Sequence, residues 1–176
     1  VTGVQTCALP ICTKVKLYFN NNSQAREVYL QPVLNHSSTL TNGPLFIPAN
    51  TVKSFNAAYT TPAGISVSVL SVAPHMHLIG ESIHVWGNKK VNNDTIRLIK
   101  IPHWDFHWQG DYQFQKPLVL PPQTKLQATA VYNNTVSNPH NPVNPPADVR
   151  LGEGTTDEMM LVYFAYTPYQ PGDENI

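Results

Sequence analysis

At 176 residues the chain has room for one domain with a real core and hardly for two. Its 11 basic and 11 acidic residues cancel, leaving neither the basic stripe of a nucleic-acid binder nor an acidic tail. Charged residues make up only 12% and prolines number 16, which favours short strands joined by turns, and no apolar run nears the ~20 residues that span a bilayer.

Residues 1–12 resemble the translation of a sequencing-adapter remnant and are read as non-native. The chain has no initiator Met, so a longer natural protein is expected, of which this is a fragment without its leader. Cys7 and Cys12 fall in or beside that segment, so cysteine usage says nothing about compartment. From residue 14 to 170 a single β domain is expected.

Its strands follow in order. The stretch 15–19 reads as a strand, ended by an Asn-rich turn, and 26–31 as the next, with Pro32 limiting its pairing. A short apolar piece lies at 44–48. Alternation marks 51–59 and 65–72, the latter running into His75-Met76-His77. A hairpin is predicted from 83–86, a Gly87-Asn88 turn and 95–101. The aromatic stretch 103–108 precedes strands at 112–114, 118–120 and 126–132. A Pro/Asn loop fills 133–150, and the last strand is predicted over 159–166. Many short strands at this spacing, without a capped 3.6-residue period, indicate an all-β antiparallel sandwich of the jelly-roll kind.

His75 and His77 carry the chemistry. On a strand, residues two apart face the same side, with Cβ atoms roughly 6.6 Å apart. Two imidazoles so placed can converge on one metal ion. The ordinary alternative is a pair of polar residues at an exposed strand end. Met159, in Asp157-Glu158-Met159, offers a soft thioether that would select Cu(I), although Met also fills cores well. Met76 and Met160 are expected to point away and pack. Asp157 and Glu158 are expected to orient the loop or to bond the second nitrogen of a ligand histidine. His84 reads as a surface histidine. His103, Asp105 and His107 alternate within an aromatic segment that reads as structural, with a second metal cluster as the alternative, and His140, in the Pro/Asn loop, reads as solvent-exposed, with a place bordering the metal as the alternative. Four Asn-x-Ser/Thr triplets, Asn35-His36-Ser37 among them, are expected by chance in so Asn-rich a chain.

Together, Pro74-His-Met-His-Leu-Ile-Gly80, Ile101-Pro-His-Trp-Asp-Phe-His-Trp-Gln109, Tyr132-Asn-Asn-Thr135 with Asn138-Pro139, and Gly152-Glu-Gly-Thr-Thr-Asp-Glu-Met-Met160 resemble the copper type II, ascorbate-dependent monooxygenase family. The similarity is to its C-terminal domain, in the bacterial branch, and covers residues 44–166. Relatives include the peptidylglycine hydroxylating and dopamine β-monooxygenases. The resemblance implies a jelly roll that holds one copper through His75, His77 and Met159, binds dioxygen and hydroxylates a substrate C–H bond. Ascorbate or another reductant would donate electrons, and Tyr163, four residues after the Met, would contact a small-molecule substrate. It further implies an extracytoplasmic setting, periplasmic or secreted, and an upstream domain with a second, electron-transferring copper.

Two positions depart from the peptide-amidating members. Ala73 stands where they hold an Arg for the peptide carboxylate, and Met160 where they have a Cys, so that disulfide is absent. A non-catalytic copper-binding or electron-transfer module within a multidomain protein is the competing expectation.

Overall fold

In the computed structural model, which describes residues 14–19 and 25–176, more buried side chains alternate with more exposed ones along 51–57, 83–88 and 125–134. The strands are β1 (Tyr29–Asn35), β2 (Phe46–Ile47), β3 (Thr51–Thr60), β4 (Val67–His75), β5 (Gly80–Asn88), β6 (Thr95–Ile101), β7 (Tyr112–Leu120), β8 (Lys125–Asn134), β9 (Val149–Arg150) and β10 (Leu161–Pro168). Along β8 the pattern is cleanest, with Leu126, Ala128, Ala130 and Tyr132 all buried.

The first sheet has the order β1-β10-β4-β7, the second β3-β8-β5-β6, and β2 pairs with β9 in a small third ladder. All strand pairs are antiparallel. Numbered as eight long strands, the two sheets read 1-8-3-6 and 2-7-4-5, the jelly-roll arrangement. The expected antiparallel β-sandwich is what forms. Phe55, Ile83, Val85 and Tyr132 of the second sheet meet Val69, Val72, Val162 and Phe164 of the first in one contiguous core.

Differences from the sequence reading have local causes. Residues 15–19 pair with no strand among the described residues; Val15, Leu17 and Phe19 stand 78%, 70% and 89% exposed, so alternation there had no described partner strand to fulfil it. Strand β1 runs through Pro32 because it is an edge strand, and its register with β10 shifts between Pro32 and Leu34. β7 is one strand rather than two. It too lies at an edge, where Pro117 removes no needed donor. Gly87 and Asn88 belong to β5, and the turn falls later, where Asn93 takes a positive φ of 58°.

β4 ends, β10 begins and β1 ends at the same place. Across the first sheet Asn35, Leu161 and His75 lie in one row, since Leu161 is the ladder partner of both others. Opposed residues in a ladder face the same side. Val162 and Phe164 point into the core, so this row and the next one, Pro32–Tyr163–Ala73, present the outer face of the sheet.

Candidate metal centre

His75 is the last residue of β4 and half-buried, while His77 lies just past the strand and is only 4% exposed. Between them Met76 turns inward and is fully buried, so alternation continues beyond the ladder. The two imidazoles therefore sit side by side, ring centroids 5.0 Å apart and planes at 79°. Phe106, from the loop between β6 and β7, stands edge-on to His77 at 6.0 Å.

Hydrogen bonds sort the protons on both rings. The Gln109 amide nitrogen donates to the Phe106 carbonyl at 2.9 Å, which turns its Oε1 toward His75. That oxygen lies 2.5 Å from His75 Nδ1. His77 Nδ1 lies 3.0 Å from the Asp157 backbone carbonyl. Carbonyl oxygens only accept, so each ring donates from Nδ1 and keeps a free lone pair on Nε2. Metal-bound histidines are commonly oriented this way. Burial lowers the pKa of His75, opposed by Gln109 and reinforced by His77, and this keeps the ring neutral and able to ligate.

The same loop is held by one buried carboxylate. Glu158 accepts the backbone N–H groups of His77 (2.8 Å) and Met159 (3.2 Å) on Oε2, and that of Ile79 (3.0 Å) on Oε1. Burial pushes its pKa up to about 7, against the pull of these donors. Tyr132, fully buried, donates its hydroxyl to the Met159 carbonyl at 2.8 Å. The Met159 backbone is thus fixed on both sides. Its side chain is 8% exposed yet lies outside the contiguous core cluster to which Met160 belongs.

Residues 47–174 match the copper type II ascorbate-dependent monooxygenase family, C-terminal domain. The chain belongs to this family. No curated protein matches the chain.

As a copper monooxygenase C-terminal domain, the molecule brings some of its candidate residues together and leaves others apart. His75 and His77 meet, and Met159 is tied through Glu158 to the His77 backbone. Tyr163 faces outward on β10, one row from His75 and opposite Ala73. Met76 and Met160 pack in the core. His84 is exposed and stacks on Trp86 at 4.7 Å, on the second sheet. His103, Asp105 and His107 are exposed, with His107 Nδ1 3.5 Å from Asp105 Oδ1. His140 is exposed in its loop, beside a cavity of about 170 Å³ that Leu78 and Phe106 also line. Cys7 and Cys12 lie outside the described residues.

Among the described residues no group of three His, Cys, Asp or Glu side chains can hold a metal. A thioether is a donor of another type, and soft sulfur suits the copper that the family name carries. Asp157 serves through its backbone carbonyl, whereas its carboxylate caps the Gly154 N–H at 3.2 Å. Sequence reasoning passed over Gln109 and His36. His36, in the turn after β1, accepts the Met160 N–H on Nδ1 at 3.2 Å.

Proposed function

We propose that His75, His77 and Met159 hold a single copper ion and that this domain is the oxygen-activating, C–H-hydroxylating part of a monooxygenase. The reading is carried by the sorted imidazoles. Two adjacent imidazoles have both Nδ1 atoms engaged by oxygen acceptors, which leaves their Nε2 atoms to face a metal. Copper bound there supplies the one-electron chemistry that dioxygen activation and C–H hydroxylation need, with ascorbate or another reductant as electron source.

The chain's own residues do the rest. His75 and His77 present nitrogen donors, and the Met159 sulfur biases the site toward Cu(I). Glu158 locks the His77 and Met159 backbones to each other, so the donors are placed before metal arrives. Phe106 covers one side of His77. Tyr163 and the small Ala73 beside it form the outer-face surface on which a small-molecule substrate lies, without an arginine for a peptide carboxylate. An extracytoplasmic site of action, and an upstream domain that delivers electrons, complete the proposal.

Copper titration tests it. One copper per chain is expected, lost in His77→Ala, together with oxygen consumption and a hydroxylated product when ascorbate is present. Copper binding without turnover in the presence of an electron-delivering domain would instead make this a copper-binding or electron-transfer module.

A further inference from the structure

We propose that His36 is a positioning residue at this metal centre, donating a hydrogen bond from Nε2–H to the ligand held there, and is not itself a metal ligand. The inference rests on the copper reading above.

Three observations carry it. Asn35, Leu161 and His75 form one row across three strands, so His36 follows directly from a residue two strand spacings, roughly 10 Å, from His75. Both rings lie at the end of their strands, on either side of the start of β10. Next, Nδ1 of His36 accepts the Met160 N–H at 3.2 Å. An imidazole nitrogen that accepts carries no proton, so the neutral ring bears its proton on Nε2. This is the reverse of His75 and His77, whose protons sit on Nδ1. Finally, burial lowers the pKa of the half-buried His36 ring, and His75 and His77 lie near enough to add to that shift.

The three imidazoles thus divide the work. Two offer lone pairs to a metal. The third, held at Nδ1 by the backbone next to Met159, leaves an N–H on Nε2 that has no hydrogen-bond partner among the described residues. Such a donor cannot ligate without losing a proton, but it suits a small acceptor, an anion or an oxygen-bearing ligand, at an open metal position.

Azide on the copper(II)-loaded chain is the probe. His36→Leu should bind azide about tenfold more weakly while still taking one copper, and His36→Gln, which keeps an N–H donor, should stay within about threefold of the parent. Long-range ¹H–¹⁵N correlation on the metal-free parent should show Nε2–H for His36 and Nδ1–H for His75 and His77. Unaltered azide affinity in His36→Leu overturns the donor role, as does an Nδ1–H tautomer for His36. Loss of copper from both His36 variants would make it a ligand and overturn the proposal equally. A parent chain that takes up no copper sinks the copper reading instead, a failure distinct from copper bound with azide affinity unchanged.

Discussion

His77 and Met159, 82 positions apart in the sequence, give their backbone N–H groups to the same oxygen atom, Oε2 of Glu158, at 2.8 and 3.2 Å. A buried carboxylate with no cation on it is costly unless its lone pairs are filled by donors, and here the backbone fills them. In Glu158→Gln an NH₂ group would face N–H donors. Urea unfolding should show a loss of about 1–3 kcal/mol, with weaker copper binding. Equal stability in the two proteins would show that the carboxylate does not organise this loop.

Glu158 and Asp173 shape the pH dependence in opposite senses. With its folded pKa raised from 4.5 to about 7, Glu158 favours the protonated fold, so its contribution is fully present below pH 4.5 and is lost as pH rises through about 7. Asp173 accepts from Arg26 at 2.7 Å and from Ser68 at 2.6 Å, which holds its carboxyl well below the usual range. Its contribution is present above about pH 4 and falls away in acid. Thermal unfolding across pH should therefore lose its downward slope between 4.5 and 7 in Glu158→Gln. In Asp173→Asn the acid limb should flatten.

Gln109 lies outside the ligand set, and the prediction for it is correspondingly specific. Its exposed amide fixes the His75 tautomer and contributes little else. Gln109→Leu should weaken copper binding about tenfold while moving the unfolding midpoint hardly at all. Competition with a copper chelator reads the first quantity and denaturant titration the second. A large stability loss with copper affinity intact would reverse the assignment.

Gly152 explains how the carbonyl behind His77 is held. A Cβ there would lie 2.2 Å from Asp157 Oδ2 and 2.8 Å from Asp157 Cβ, so any larger residue must push Asp157 away. Gly152→Ala should therefore loosen the Asp157 carbonyl from His77 Nδ1 and lower copper affinity. The His77 ring ¹⁵N shifts of the metal-free protein would register the change. Unperturbed shifts would place the strain elsewhere.

The strands were largely legible because alternation is a local signal. The predicted 95–101 is the observed β6, and 51–59 falls one residue short of β3. The adjacency of His75 and His77 was legible for the same reason. Where the reading slipped, a long-range bond had displaced a ladder bond. The last strand begins at Leu161 rather than at residue 159 because Glu158 takes the Met159 N–H and His36 takes that of Met160. Gln109 meets His75 across 34 positions and His36 meets Met160 across 124, distances over which no pattern in the sequence speaks. His36 showed itself only as the centre of a chance glycosylation triplet.

X-ray absorption on the Cu(I)-loaded protein tests the ligand set most directly. The account predicts two imidazole nitrogens and one sulfur around the metal, with the sulfur scatterer vanishing in Met159→Ile and Cu(I) affinity falling more than Cu(II) affinity. A spectrum without sulfur, or one that Met159→Ile leaves unchanged, would contradict it.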